Sequence, residues 1–167
     1  LATNTGATVN FTGGGLAITT TSGASYRATG GATAITVQGT GNTISSSTGI
    51  ALEVTSTTIG ASGLTFQSIA ANGAANGIVL NTTGSSGGLT VTGTGTTDGS
   101  GGTIQNTSGR GAAFISTAAI SLSNMNFTSA GTSDLDADNS GLSTGDNLAT
   151  NAAIHLQTVT GATLTNL

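Results

Sequence analysis

Six short segments of this sequence resemble one another, and this internal repeat restricts the fold more than any other feature. They are GATVNFT from Gly6, GASYRAT from Gly23, GIALEVT from Gly49, GIVLNT from Gly77, GAAFIST from Gly111 and NAAIHLQT from Asn151. Most contain a small residue, then a large apolar residue, a variable residue, and an apolar residue or Thr/Ser. Because alternate side chains of a β-strand point to opposite faces, each segment predicts a strand with one face in the core.

Aligning the segments predicts two columns of side chains. The inward column is Val9, Tyr26, Leu52, Leu80, Phe114 and Ile154, joined two residues later by Phe11, Ala28, Val54, Thr82, Ser116 and Leu156. The outward column between them is Asn10, Arg27, Glu53, Asn81, Ile115 and His155. The first column is expected to be a core, and the second a surface.

Two further sets of apolar residues lie between these segments. The second set is Leu16 with Ile18, Ile35 with Val37, Leu64 with Phe66, Leu89 with Val91, Ile120 with Leu122, and Leu164. The third set is Ile44, Ile69, Ile104, and Met125 with Phe127. Several short strands per repeat, separated by Gly, Asn, Ser and Thr, predict an all-β parallel β-solenoid with no extensive helix.

The segments begin at unequal intervals of 17 to 40 residues, so about six unequal coils are expected over residues 1–167. Loops lengthen at modest entropic cost, whereas strands must keep register to stack. Insertions are therefore predicted in the turns, with the longest in the fifth coil. The chain is expected to form a single segment.

Composition limits the partners of such a chain. Charged residues are 5% of the sequence, against about 25% in an ordinary globular domain. Arg27 and Arg110 are its only basic residues besides His155, too few to replace the counterions of a nucleic acid. No stretch approaches the ~20 apolar residues of a membrane span. We therefore expect neither a nucleic-acid partner nor insertion into a membrane.

The stretches GASGLTFQSIAANGAANGIVLNTTGSSGGLTVTGTG and GGTIQNTSGRGAAFISTAAISLSNMNFTSA resemble the right-handed parallel β-helix repeats of large bacterial exported, adhesin-like surface proteins. The resemblance extends from about Gly6 to Leu167. It implies a right-handed β-helix, an extracellular or cell-surface location, and a longer repeat protein of which this chain is a fragment. It supplies no catalytic residues.

Two charged positions of the outward column are candidates for a site. Arg27 and Glu53 are expected to lie ~5 Å apart on consecutive coils, as a surface ion pair or as part of a substrate groove. A glycosidase requires two carboxyl groups ~5–9.5 Å apart, and the predicted neighbours of Glu53 are Arg27 and Asn81. His155 is the only imidazole and is expected to be exposed beside Ile115. No catalytic site is predicted.

The stretch GTGTTDGSGG, at residues 93–102, has the glycine spacing of a phosphate-binding loop. Such a loop needs a following helix and usually a Lys, and neither is predicted here. We therefore interpret it as a turn.

Four of the six acidic residues lie in the stretch SDLDADNSGLSTGD. Asp134, Asp136 and Asp138 alternate as the oxygen ligands at the start of a calcium loop do, and Asp146 is a candidate fourth ligand. The pattern is incomplete, because Asn139 and Gly145 occupy the sixth and twelfth places. The alternatives are a Ca²⁺ site and a solvated turn; no other cofactor is predicted.

The sequence favours a structural or interaction module, serving as a stalk, an adhesin or a matrix element. Its predicted partners are further coils or another copy at the open ends, and a carbohydrate or other cell-surface ligand. The alternatives are a subunit of a self-stacking filament, a polysaccharide-cleaving enzyme and an ice-binding protein. A flat, regular Thr array would be required for ice binding, and the outward column does not supply one.

Overall fold

The computed structural model describes residues 1–31, 33–130 and 152–167. Within these ranges the protein is all-β, with fourteen strands and no helix. The strands are β1 (Thr8–Phe11), β2 (Ala17–Thr20), β3 (Tyr26–Thr29), β4 (Ala34–Val37), β5 (Thr43–Ser46), β6 (Leu52–Thr55), β7 (Ile59–Phe66), β8 (Ser68–Asn72), β9 (Ile78–Asn81), β10 (Leu89–Val91), β11 (Thr103–Gln105), β12 (Ala112–Ser123), β13 (Asn126–Thr128) and β14 (Ile154–Thr165). No helix in the described ranges is long and apolar enough to cross a membrane.

All strand pairs are parallel, and along most of the chain each strand pairs with the third strand after it. The first ladder contains β3, β6, β9 and the first half of β12. The second contains β1, β4, β7, β10 and the second half of β12. The third contains β2, β5, β8, β11 and β13. Because β12 belongs to two ladders and β14 follows it along its length, the strands form curled sheets of nine and five strands.

The separation between paired residues differs from one strand pair to another and is largest between β12 and β14. It is 26 residues in the early strands, as between Asn10 and Thr36. It is 34 residues between Thr83 and Thr117, and 42 between Asn124 and Asn166. The strands are thus joined by connections of unequal length, which confirms the prediction that the repeats are unequal and that the longest precedes β14.

The core lies between the ladders and consists of stacked apolar side chains. In the first ladder Leu52 pairs with Tyr26 and Ile78, and Leu80 pairs with Val54 and Phe114. Buried residues of the second ladder include Ile35, Val37, Ile59, Leu64, Phe66, Leu89, Val91, Ile120 and Leu122. The third contributes Ile44, Ile69, Ile104 and, just before β13, Met125. We call one strand from each of the three ladders, taken in succession along the chain, a layer. Since every layer places apolar residues on the next, the stacked layers exclude water along their length.

The predicted membership of the ladders is wrong for the first segment and for the first pair of the second apolar set. Val9 pairs with Ile35 in the second ladder, not with Tyr26 in the first. Ile18 pairs with Ile44 in the third ladder, not with the second set of apolar residues. All three ladders use the same alternation of small, apolar and polar residues, so local pattern alone does not distinguish them.

Two residues predicted to face the core lie at a corner of the chain. Thr82 and Ser116 are exposed and have φ angles of 55° and 48°. Equivalent positions in other layers are Thr3, Gly30, Ser56 and Thr158, which also have positive φ angles. This left-handed conformation turns the chain between the first and second ladders. β9 therefore ends before Thr82, whereas β12 continues through the corner at Ser116, and both side chains point away from the core.

Glycine precedes three strands of the first ladder because successive layers approach closely there. A Cβ atom on Gly49 would overlap the carbonyl oxygen of Gly23, and one on Gly77 would overlap that of Gly111. The amides of Ala51 and Leu52 donate to the Gly77 carbonyl oxygen. The glycines that mark the repeat in the sequence thus permit hydrogen bonding between layers.

Candidate functional site

The predicted charged pair forms on the outer face of the first ladder. Arg27 pairs with Glu53 across β3 and β6, and the Arg27 Nε atom lies 2.9 Å from Glu53 Oε2. The side chain of Arg27 is 60% exposed and that of Glu53 is 19% exposed. Solvent therefore screens the pair, as is usual for a surface salt bridge.

The rest of the outward column differs from the prediction. Glu53 pairs with Val79 instead of Asn81, Val79 pairs with Ala113, and Ala113 pairs with His155. The segments share a leading glycine, but the true register is shifted by two residues, which keeps each side chain on the predicted face. The neighbours of Glu53 in the ladder are therefore Arg27 and Val79.

His155 lies on β14, beside Ala113 and not beside Ile115 as predicted. Its Nε2 atom is 3.4 Å from the Gln157 side-chain oxygen on the same strand. The ring is half-buried. Within the described ranges, Gln157 is thus the residue with which the imidazole of His155 makes a polar contact.

Asp134, Asp136, Asp138 and Asp146, the candidate Ca²⁺ ligands, lie outside the described residues. Among the residues that are described, no group of three or more His, Cys, Asp or Glu side chains could hold a metal ion. The calcium site stays a prediction.

A polar groove runs along the edge of the second ladder, across several layers. One cavity of ≈ 300 Å³ is lined by residues 39–41, Thr65, Gln67 and 92–95. A second, of ≈ 420 Å³, is lined by Thr92, Gly95, Thr96, 123–124 and 165–166. The two cavities share Thr92 and Gly95 and therefore adjoin. We refer to them together as the polar groove.

The wall of the polar groove is the turn at residues 92–102, which extends from the corner between β10 and β11. Ser100 Oγ accepts from the Thr94 amide at 2.8 Å and donates to the Thr97 carbonyl oxygen at 2.6 Å. Asn124 Nδ2 donates to the carbonyl oxygens of Thr92 and Gly95 at 3.2 and 3.1 Å. The turn is thus fixed both internally and to the next layer. It leads into a strand and not a helix, as expected for a turn that is not a phosphate-binding loop.

The floor of the polar groove belongs to a regular array of hydroxyl side chains. Thr65, Thr90, Ser121 and Thr163 pair in succession on the outer face of the second ladder. Two residues further along each strand are Gln67, Thr92, Ser123 and Thr165. Within the described residues, no hydrogen bond is formed by the side-chain hydroxyls of Thr40, Thr65, Ser123 and Thr165. These hydroxyls are available to a ligand.

The outward residues of the first ladder alone do not predict the polar groove. The stretches TFQ, TVT, SLS and TLT, which begin at Thr65, Thr90, Ser121 and Thr163, repeat a polar–apolar–polar pattern. That signal was present in the sequence. The hydroxyl array absent from the first ladder therefore exists in the second.

Comparison of the chain with protein-family models, with curated protein sequences and with solved structures gives no match.

Proposed function

We propose that this chain is a rigid structural and interaction segment of an extracellular or cell-surface bacterial protein, folded as a right-handed parallel β-solenoid. The observation that carries the proposal is the parallel pairing of strands with the third strand after them in three ladders. A chain that returns to the same ladder every third strand winds around an axis, and each turn of it is one coil. The right-handed sense is the one expected for crossovers between parallel strands.

Stiffness follows from contacts that are repeated between neighbouring coils. The corner residues at 30, 56, 82, 116 and 158 share the left-handed conformation, so successive coils turn in the same way. Backbone hydrogen bonds link each coil to the next, as from the Ser56 amide to Asn81 and from the Thr82 amide to Ile115. In such a stack each coil stabilises its neighbours, and the whole behaves as a nearly one-dimensional structure.

The surface composition favours an exported protein with a structural or binding role. The described outer faces consist mainly of Thr, Ser, Asn and Ala, and Arg27 and Glu53 form an ion pair on the first ladder. The resemblance to adhesin-like repeat proteins points the same way. No enzymatic role is proposed, because the ladder neighbours of Glu53 supply no second carboxyl group.

Nuclear magnetic resonance spectroscopy of the purified chain tests this proposal. In a β-solenoid Leu52 lies between Tyr26 of the preceding coil and Ile78 of the following coil, so nuclear Overhauser effects should connect its side chain with both. The far-ultraviolet circular dichroism spectrum should be that of a β protein without helix. Absence of these contacts between coils, or a helical spectrum, would contradict the proposed function.

A second candidate, a self-stacking filament subunit, is favoured by the apolar surface of the terminal layers. β14 has twelve residues and, within the described ranges, pairs on one side only, with β12. Leu156 and Leu164, whose ladder neighbours Phe114 and Leu122 are buried, are each 43% exposed. At the opposite end Phe11 is 37% exposed. An unpaired strand edge with apolar side chains is a template for another chain, and repeated head-to-tail contacts generate an open filament.

Sedimentation velocity over a range of protein concentrations tests self-stacking. The unchanged chain should form larger species as its concentration rises, and Leu164→Asp should remain monomeric because it places a charge in the interface. Thr163→Asp is the matched control, since it adds the same charge to the outer face of the same strand. A wild-type chain that stays monomeric, or equal loss of assembly in both variants, would exclude the filament.

A further inference from the structure

The polar groove offers a binding site whose length, charge and hydrogen-bonding groups select a class of ligand. The groove crosses several layers of the second ladder, from residues 39–41 past Thr65 and Thr92 to residues 165–166. Strand layers repeat every ~4.8 Å. A ligand lying along it therefore meets a similar polar group at each step, which favours a polymer of repeated units over a single small molecule.

The lining of the groove is uncharged. It contains hydroxyl and amide side chains and glycine backbone, and none of its residues is Asp, Glu, Lys, Arg or His. The nearest acid in sequence, Asp98, belongs to the turn that forms the wall, and the formal net charge of the chain is −4. An anionic polymer would be repelled, and a cationic one would find no carboxylate in the lining. The ligand is accordingly neutral.

The hydrogen-bonding groups of the groove suit a partner that both donates and accepts. A Thr or Ser hydroxyl donates one hydrogen and accepts through two lone pairs. The hydroxyls of Thr65, Ser123 and Thr165 have no partner within the described residues. Gln67 Nε2 donates to Thr94 Oγ1 at 2.8 Å, which orients the Gln67 side-chain oxygen and Thr94 within the same cavity. Sugar hydroxyls combine both roles in the same way.

The groove is formed before any ligand arrives. Ser100 and Asn124 hold the turn at residues 92–102 through four hydrogen bonds to backbone atoms of that turn. Gly95 has a positive φ angle, and no atom lies within 4 Å of the position of a Cβ there, so its backbone is uncovered where the two cavities adjoin. A preformed site avoids the entropic cost of ordering a loop on binding.

We propose that the polar groove binds a neutral polysaccharide chain along the axis of the strand stack, by hydrogen bonds to Thr65, Gln67, Thr92 and Ser123. The proposal deepens the interaction role described above and rests on it. Because no aromatic ring lines the groove, binding per site is weak, in the range of about 0.1–10 mM. Many sites on a long repeat protein would make such weak binding effective.

The test uses ¹⁵N-labelled protein and hexasaccharides. A panel of neutral hexamers of glucose, mannose and N-acetylglucosamine is compared with a galacturonic acid hexamer and with glucose monomer at the same sugar concentration. A neutral hexamer should shift the amide resonances of residues 65–67 and 92–95. The monomer and the acidic hexamer should not. Thr65→Val should weaken binding about fivefold, the loss expected for one hydrogen bond.

The matched control is Thr43→Val, which makes the same substitution on a half-buried outward position of the third ladder. It should leave the affinity unchanged. Equal binding of the acidic hexamer, equal weakening by Thr43→Val, or no binding of any neutral hexamer at about 10 mM would overturn the proposal. Inhibition of ice-crystal growth without sugar binding would also overturn the proposal, because it would show that the hydroxyl array binds ice. Nuclear Overhauser effects from the same samples keep the outcomes separate: if the contacts of Leu52 with Tyr26 and Ile78 are present but no sugar binds, the assigned ligand is wrong and the structural role stands.

Discussion

At the scale of single residues, the buried phenol of Tyr26 has an unusual environment. Tyr26 is 4% exposed and its ring packs edge-on against Phe11 and Phe66, with ring centroids 6.1 and 6.0 Å away. Within the described residues, its hydroxyl has no hydrogen-bond partner. Desolvation by burial raises the pKa of this phenol from 10.0 to about 12. The protonated form is therefore favoured in the folded chain.

This shift predicts a loss of stability at alkaline pH. The unfolded chain releases the Tyr26 proton near pH 10, whereas the folded chain holds it to about pH 12. The free energy of unfolding should be constant just below pH 10 and fall by roughly 2–3 kcal/mol as the pH rises to 12. Urea titrations at several pH values measure it. The sequence has one Tyr, no Cys and no Lys, so Tyr26 is its only side chain of these three types.

Tyr26→Phe is the control for that prediction. It removes the titrating group and a buried hydroxyl without a partner, so stability at neutral pH should be equal to or above that of the unchanged chain. The stability of this variant should not fall between pH 10 and 12. A fall of the same size in Tyr26→Phe would assign the alkaline loss to another cause.

A buried pair of hydroxyls gives a second residue-scale prediction. Thr83 Oγ1 and Thr117 Oγ1 are 2.5 Å apart, and both side chains are buried where two layers meet. Thr83→Val should cost about 1–3 kcal/mol of unfolding free energy, because it leaves the Thr117 hydroxyl buried without a partner. The double variant with Thr117→Val should lose less than the sum of the two single losses. Strict additivity in urea denaturation would show that the hydroxyls do not interact.

At the scale of elements, the turn at residues 92–102 depends on Asn124. Asn124 has a φ angle of 57°, and its side chain bonds the turn and accepts from Asn166 Nδ2 at 2.8 Å. Asn124→Ala should lower the unfolding free energy by about 2 kcal/mol or more, since it removes these bonds and disfavours the left-handed conformation. Asn124→Gly keeps that conformation accessible and should recover part of the loss. Full stability of Asn124→Gly would show that backbone conformation alone holds the turn.

The positions of most strands could be predicted from the sequence, because an apolar residue at every second position sets which face is buried. Leu80 and Phe114 face the core as predicted, and Arg27 pairs with Glu53. The ladder to which a strand belongs could not be predicted in the same way. Val9 and Tyr26 occur in similar segments but belong to different ladders. That choice is determined by the 26-residue separation between layers and by where the corners fall, neither of which is a local property.

The polar groove was harder to predict than the strands. Its floor is visible as a repeated pattern at Thr65, Thr90, Ser121 and Thr163, but only after these residues are assigned to one ladder. Its wall could be predicted only by knowing the contact between Asn124 and the turn of the preceding layer. Contacts of this kind join residues 29 to 32 positions apart. Composition and short motifs carry no information about them.

At the scale of the whole molecule, the predicted calcium ligands belong to the segment between β13 and β14. Binding of Ca²⁺ by Asp134, Asp136, Asp138 and Asp146 would stabilise the folded chain by mass action. Millimolar Ca²⁺ should then raise the melting temperature, and Asp134→Ala should abolish the rise. Asp98→Ala, which removes an acid from a different turn, should leave it intact. A melting temperature that does not respond to Ca²⁺ would favour the solvated turn.

The turn at residues 92–102 shows how the molecule tolerates growth at a corner. On one side β10 keeps its register with β7 and β12, and on the other β11 keeps its register with β8 and β13. The corner can therefore lengthen while the strands on both sides stay paired. For protein engineering, this makes the corner a grafting position: a foreign peptide inserted there would be displayed at a fixed height on the molecule. Grafts at the equivalent corners of successive layers would space epitopes by multiples of the strand separation.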